Sequence, residues 1–461
     1  MESQIVIDER LIAKYDRAGP RYTSYPTAPQ FHERFTAAHY RELALASNAG
    51  GRPLSLYFHI PFCDTVCFYC ACNKIITKNR RRAGPYLERL LREIELQGAL
   101  FDRSRPVVQL HWGGGTPTFL SEDEMRTLMD ATRAHFTLLG DERGEYSIEI
   151  DPREADAGKI ALLRRLGFNR ISMGVQDFDP AVQLAVNRIQ PKAVTLAAID
   201  AARAEGFRSI SLDLIYGLPL QTVTSFARTL DEILELDPDR LSVFNYAHLP
   251  ELFKTQKQID AAALPSPAEK LEILRLVIAR LTAAGYVYIG MDHFAKPDDE
   301  LAVAQRAGTL YRNFQGYSTH ADCDLVAMGA TSIGMVGDSY SQNVKTLDAW
   351  YAHLDAGELP VYRGVHLDAD DRLRRAVITQ LLCNFALDYA PVEAAHGIVF
   401  AEYFATELAE LAGMAADGLL TLDRHGIRVA PAGRLLIRNI CMVFDQYLRA
   451  AGTQRRYSRV I

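Results

Sequence analysis

A parallel α/β fold is what this sequence predicts, and two features carry that expectation. Between residues 54 and 246, six short runs rich in β-branched and aromatic residues alternate with amphipathic stretches whose apolar residues recur every three or four positions. A sixfold β-α alternation gives a parallel sheet with right-handed crossovers, either doubly wound or curled toward a barrel, and the pattern alone does not separate the two. From about residue 365 the texture turns mostly helical, which sets a smaller C-terminal region (365–461) apart from the main domain (51–364).

In chain order, residues 1–50 read as an arm. A short helical pattern leads into GPRYTSYPTAPQF, where Pro20, Pro26 and Pro29 interrupt regular structure, so a surface strap packed by Tyr22 and Tyr25 is expected. Arg21 among those rings makes a lid over a ligand a second reading. The strands follow as LSLYFHI (54–60), VVQLHWG (107–113), YSIEID (146–151), RISMGV (170–175), SISLDLI (209–215) and RLSVFNY (240–246). Between them YLERLLREIELQGAL, EDEMRTLMDATRAHF, KIALLRRLGF, KAVTLAAIDAARAEGF and SFARTLDEILEL have helical periodicity. In the C-terminal region LLTL-DRHG-IRVA signals a hairpin with a helix after it, the outline of a winged helix. Fold is not function, and a packing or cap role is favoured there over DNA binding.

Composition narrows the classes. The 461 residues, 48% apolar and 23% charged, suit a soluble globular protein with one large domain and something smaller. A formal net charge of −6 gives no general attraction to a nucleic-acid backbone, so no nucleic-acid partner is expected. The N-terminal stretch is charged throughout and no later run is long enough to cross a bilayer, so a cytoplasmic protein without a membrane span is expected.

CDTVCFYCAC, residues 63–72, holds four of the seven cysteines. Cys63, Cys67 and Cys70, spaced C-x3-C-x2-C, fall on the loop after the first strand, the edge at which parallel sheets bind ligands. Three thiolates on one loop can hold an iron-sulfur cubane and leave one iron open for a further ligand. A structural zinc would want a second ligand pair at a distance, and Cys72 is a poor fourth so close to Cys70. A redox pair at Cys67 and Cys70 would leave Cys63 unexplained, and an electron-transfer site would want a fourth cysteine. Cys72 is read as lying outside the ligand set, in packing or beside it. Cys323, Cys383 and Cys441 are read as buried small hydrophobes.

The spacing, with Tyr69 before the third cysteine, resembles the signature of radical S-adenosylmethionine enzymes. KYDRAGPRYTSYPTA, YFHIPFC, CACNK, LHWGGGTPT, SIEIDPRE, RISMGVQDF, VNRIQ, SLDLIYGLP and YSRVI together resemble the oxygen-independent coproporphyrinogen III oxidase family, nearly end to end. Ala71 and Tyr69 stand where that family often has Gly and Phe, changes too small to threaten a cluster. The resemblance implies a partial (β/α)6 barrel of the radical S-adenosylmethionine type, with an N-terminal arm and a mostly helical C-terminal domain. It implies a [4Fe-4S] cluster on Cys63, Cys67 and Cys70, and two molecules of S-adenosylmethionine. Cofactor contacts are implied at Tyr57, Tyr69, Gly114, Gly115, Thr116, Glu149, Gln176, Arg188 (in the helix after its strand), Asp213, Ala247 and Ile333. Local chemistry supports several of these. Glycines at a strand-to-loop turn let backbone amides approach a ligand. Glu149 and Asp213 are carboxylates inside apolar strands, costly there unless a ligand or an arginine satisfies them.

The activity so implied is oxidative decarboxylation of two propionates of coproporphyrinogen III, through a 5'-deoxyadenosyl radical, in haem biosynthesis. The expected partners are that substrate, an electron donor such as a flavodoxin or ferredoxin, and an electron acceptor of unknown identity; a monomer is expected. Four substrate carboxylates call for arginines, with Arg21 and Arg459 as candidates. A haem carrier of the same superfamily and a radical RNA-modifying enzyme are the rival readings. Cys72 and the arm speak against the first, the acidic balance against the second.

Overall fold

The computed structural model describes residues 5–140 and 143–451, which places Arg459 and the YSRVI stretch outside the described residues. The chain packs as two compact units: residues 31–277 with 322–366, and residues 1–30 with 278–321 and 367–461.

In the first unit the six expected strands form almost as read: β1 (Leu54–Ile60), β2 (Pro106–Gly114), β3 (Glu145–Ile150), β4 (Arg170–Gln176), β5 (Ser209–Tyr216) and β6 (Arg240–Asn245). They pair in parallel in the spatial order β6-β5-β4-β3-β2-β1, the strand run of a partial (β/α)6 barrel. Four further strands extend it beyond β1, namely β7 (Asp324–Met328), β8 (Ile333–Val336), β9 (Ser339–Asn343) and β10 (Val361–His366). β7 is parallel to β1, and the last three turn antiparallel. The sequence reading singled out none of these four. β7 is short, and Ser339, Ser341, Gln342 and Asn343 of β9 are polar yet buried, so no apolar alternation marks that strand.

Period-two alternation divides the sheet's two faces. In β4, Ile171, Met173 and Val175 are buried while Ser172, Gly174 and Gln176 are half-buried, and β5 buries Ile210, Leu212 and Leu214 but leaves Asp213 half-buried. The polar set of each strand therefore shares one face. A buried ion pair anchors the other end of β1. Arg105, just before β2, donates to Asp324 at 2.5 Å, both side chains being at most 1% exposed. The second Asp324 oxygen accepts the Gly337 amide at 3.0 Å. The expected arm divides: residues 31–50, with the helix Ala37–Ser47, belong to this unit, and residues 1–30 to the other. That helix packs on β8, β9 and β10.

In the second unit Tyr22 and Tyr25 are buried, as the strap reading expects, and the Tyr22 hydroxyl donates to Asp445 at 3.0 Å. The C-terminal hairpin forms between Leu420–Leu422 and Gly426–Val429, with Ala386–Asp388 as a third strand. Cys383 and Cys441 are buried in this unit, and Cys323 in the first. Among the described residues no helix is long and apolar enough to cross a membrane.

Asp324→Ala would leave the Arg105 guanidinium buried without its counter-charge, and we expect a loss of about 3–5 kcal/mol. A denaturant titration of wild type and variant, compared by midpoint, measures it.

Candidate active site

The polar faces of β3, β4 and β5 and the loops after β1 and β2 line one partly open cleft of about 180 Å³. Its walls carry Cys63, Tyr69, Cys67 and Cys70 from the first loop, Gly114, Gly115 and Thr116 from the end of β2, and Glu149, Gln176, Asp213 and Arg188. Eleven of the fourteen residues expected at the site are thus brought together. Arg188 is not in a helix: the helix Pro180–Ala185 ends before it, and Asn187 between them has a left-handed φ of 55°. Gln176 also has a positive φ, 71°, a strained conformation of the kind that gathers at functional sites. Tyr57, Ala247 and Ile333 lie outside the residues that line the cleft.

The cysteine loop is closed and then pinned. Phe62–Cys63 pairs with Ile75–Ile76, which brings the ends of the stretch together. The Cys70 amide donates to the Cys67 carbonyl at 3.2 Å, a tight turn. Asn187 donates to the Val66 carbonyl (2.7 Å), Gln256 to that of Tyr69 (3.1 Å), and Lys74 to that of Cys70 (2.8 Å). Phe68 and Tyr69 pack against Val182, Val186, Leu218 and Tyr246. The glycine run seats the loop from the other side. The Gly115 amide donates to the Ile60 carbonyl at 2.8 Å, and a Cβ on Gly115 would stand 2.7 Å from backbone atoms of Pro61 and Phe62. Gly114 has a φ of 113°, and a Cβ there would meet the His59 ring at 2.6 Å. Close approach of the chain to itself therefore requires these glycines, in addition to any ligand.

The electrostatics suit anionic sulfur. Arg188 donates to Cys67 at 3.5 Å and Thr116 to Cys63 at 3.6 Å. A hydrogen bond from Cys72, with Lys74 beside it, pulls Cys70 down to about 6, whereas burial pushes Cys63 up to about 11. Glu149, on the cleft wall, accepts from His111 Nε2 and from the Gly114 amide, each at 3.2 Å. Loss of hydration within the cleft pushes its carboxyl up, but the side chain is 48% exposed, and those two partners hold it below its ordinary range. Asp213 goes the other way: burial, with Glu149 nearby, raises it to about 7. Tyr57 stacks on His111, ring centroids 5.8 Å apart, and its hydroxyl meets His59 Nδ1 at 3.1 Å.

Sequence reasoning missed Asp151, Arg153 and His111. Asp151 accepts from Arg153 (2.6 Å) and from Arg188 (3.2 Å), so it holds the guanidinium that reaches Cys67. Its signal was present: two residues after Glu149, it lies on the same face of SIEID. Cys72 lies on the cleft wall too, the fourth thiol of the loop.

These residues fit an iron-sulfur cluster and a nucleoside ligand. Three thiols face one cleft with donors aimed at two of them, which stabilises charge on sulfur. Buried Arg188 Nε has no partner, and Arg188 lines the same cleft as the thiols. Among the described residues, no three His, Cys, Asp or Glu side chains converge tightly enough to hold a single metal ion.

Comparison with known proteins agrees with this chemistry. Residues 57–233 match the radical SAM superfamily and residues 367–436 the HemN C-terminal domain. An oxygen-independent coproporphyrinogen III oxidase of Pseudomonas aeruginosa is 57% identical over 98% of both chains. That of Escherichia coli K12 is 53% identical over 99% of both. The solved structure of coproporphyrinogen III oxidase (HemN) from Escherichia coli, described as a radical SAM enzyme, superposes with a TM-score of 0.92 at 52% identity, covering 97% of this chain and all of that one.

Gly115→Ala would push backbone against backbone beneath Cys63. We expect a folded protein that, after anaerobic reconstitution with iron and sulfide, retains less than about half the wild-type iron, read by iron analysis beside circular dichroism.

Proposed function

We infer the activity from the family to which the chain belongs, the oxygen-independent coproporphyrinogen III oxidases of the radical S-adenosylmethionine superfamily. The protein is an oxidoreductase of haem biosynthesis. It converts two propionate side chains of coproporphyrinogen III to vinyl groups, giving protoporphyrinogen IX, and releases each carboxyl as carbon dioxide without oxygen. The observation that carries this reading is a cleft lined by three spaced thiols and by polar side chains, in a chain related to such oxidases over almost its whole length.

When bound, the cluster and S-adenosylmethionine supply a carbon radical that can take hydrogen from an unactivated carbon, which no acid-base side chain can do. The remaining work falls to the chain. Cys63, Cys67 and Cys70 hold the cluster, and Arg188 and Thr116 donate to two of their sulfurs. Asp151, itself bound by Arg153, holds Arg188 in place. Gly114, Gly115 and Thr116, with Tyr69, Gln176 and Arg188, bound the space for the nucleoside. Glu149, kept ionised by His111 and the Gly114 amide, suits the ligand's ammonium group. Asp213 suits the ribose hydroxyls.

Two molecules of S-adenosylmethionine are proposed. Tyr57, Ala247 and Ile333, outside the lining of the first cleft, are assigned to the second. A flavodoxin or ferredoxin is the proposed electron donor, and an acceptor removes one electron for each vinyl group formed. The protein is proposed to act as a cytoplasmic monomer. Arg21 is a candidate for a substrate carboxylate. The carrier alternative is not favoured, because the full-length relatives are named as oxidases.

The direct test is turnover. Anaerobically reconstituted protein, given S-adenosylmethionine, a reductant and coproporphyrinogen III, is expected to form protoporphyrinogen; haem binding without product would favour the carrier. A pH series tests Asp213. Its carboxyl, raised to about 7, is protonated in the empty cleft below that pH, and ribose hydroxyls donate best to the ionised form. Cofactor affinity should therefore rise as pH passes upward through about 7 and level off above it. Asp213→Asn should flatten the curve at the weaker end, read by equilibrium binding of S-adenosylmethionine.

A further inference from the structure

Arg80, Arg81 and Arg82 stand immediately before the helix Ala83–Gly98, which has no acidic residue in its first turn. The amide dipoles at a helix N-terminus favour negative charge, so this run is set against its own helix. The helix Glu122–His135 has the ordinary arrangement, with Glu122, Asp123 and Glu124 in its first turn. Arg80 has a local reason to be there. It donates to Asp64, to Glu154 at 2.6 Å and to the Phe119 carbonyl at 2.8 Å, with its guanidinium over the Phe119 ring. Lys78, Arg81 and Arg82 are exposed, and among the described residues none of the three lies within ion-pair distance of a carboxylate. The same segment lies against the cysteine loop. Ile75–Ile76 pairs in parallel with Phe62–Cys63, Ile76 opposite Cys63, and the Thr77 amide donates to the Cys63 carbonyl at 2.9 Å. Paired strands run about 4.8 Å apart, yet Ile76 is 39% exposed. An exposed apolar side chain, followed by unpaired cations, is thus one strand spacing from the backbone of Cys63.

An apolar centre with an arginine-bearing rim is the make-up of a protein interface, and charges that oppose their own helix call for a gain elsewhere. Reduction of a cluster in the cleft needs a donor that comes close to it, because electron transfer slows steeply with distance. We propose that Ile76, Lys78, Arg81 and Arg82 form the docking surface for a small acidic one-electron carrier protein. The carrier loses one electron, the cluster gains it, and no atom changes hands. Redox encounters of this kind use small interfaces steered by charge, which a few unpaired cations suit. The inference rests on the reading of the chain as a radical S-adenosylmethionine oxidase supplied by a carrier protein.

The test uses the reconstituted holoenzyme and a flavodoxin, with binding read by calorimetry at low and high salt and turnover driven by the reduced flavodoxin. Wild type should bind it, more weakly at high salt. Lys78→Glu/Arg81→Glu/Arg82→Glu should weaken binding and slow flavodoxin-driven turnover by about tenfold or more. Turnover driven by dithionite, which needs no docking, should stay within about twofold, as should iron content and affinity for S-adenosylmethionine. The melting temperature of this variant should hold or rise, because carboxylates suit the start of a helix. Arg81→Gln should give a smaller loss of binding, and covers the case in which the triple variant does not fold. No salt-sensitive binding by wild type, or unchanged affinity in both variants, would overturn the surface. So would an equal loss of dithionite-driven turnover, an equal loss of binding in Lys257→Glu, an exposed cation elsewhere, or binding of a short RNA in place of flavodoxin. Failure of the wild type to turn over porphyrinogen with dithionite would instead remove the functional reading on which the surface rests.

Discussion

The seating of the cysteine loop on the end of β2 is the constraint on which the rest of the site depends. Three thiols in eight residues have no intrinsic reason to face one space: as thiolates they repel, and holding a loop in one shape costs conformational entropy. Here the cost is met by many small contacts. A two-residue ladder closes the loop, carbonyls at Val66, Tyr69 and Cys70 are each tied to a side chain from elsewhere, and Phe68 and Tyr69 are packed into an apolar cluster. Backbone contact at Gly115 leaves no room for a side chain, so the second loop's position follows from the first. The thiols also differ. The hydrogen bond from Cys72 lowers Cys70, whereas burial raises Cys63.

The two ends of the strands divide the labour, as parallel barrels generally do. At the N-terminal end Leu54 of β1 pairs with Asp324 of β7, and Arg105 stands beside them in a fully buried ion pair. At the C-terminal end the same strands release loops whose polar groups are half-exposed or unpaired. Rigidity is concentrated where no ligand is needed. Chemistry sits where backbone and side chains remain unsatisfied, and the strained Gln176 belongs to that end.

Much of this was legible in the sequence, and the limits have physical reasons. Six parallel strands could be read because each carries apolar residues on alternate positions; β9 could not, because its buried residues are polar and are satisfied by partners distant in sequence, such as Glu93 for Asn343. The ligand thiols were legible from spacing, and Glu149 and Asp213 because a carboxylate in an apolar strand is an anomaly that asks for a partner. His111 and Asp151 looked ordinary, since their importance lies in which neighbour they hold. The glycine run was read as an approach path for a ligand, whereas packing of one loop on another also requires it.

The account's central claim is that three of the four clustered thiols, and not the fourth, hold an iron-sulfur cluster with one open iron. Iron and sulfide analysis with electron paramagnetic resonance, on anaerobically reconstituted wild type, Cys70→Ser and Cys72→Ser, tests it most directly. The account predicts about four irons per chain in wild type and in Cys72→Ser, a spectrum that changes when S-adenosylmethionine is added to either, and loss of the cluster in Cys70→Ser. A cluster retained in Cys70→Ser, or lost in Cys72→Ser, would contradict it.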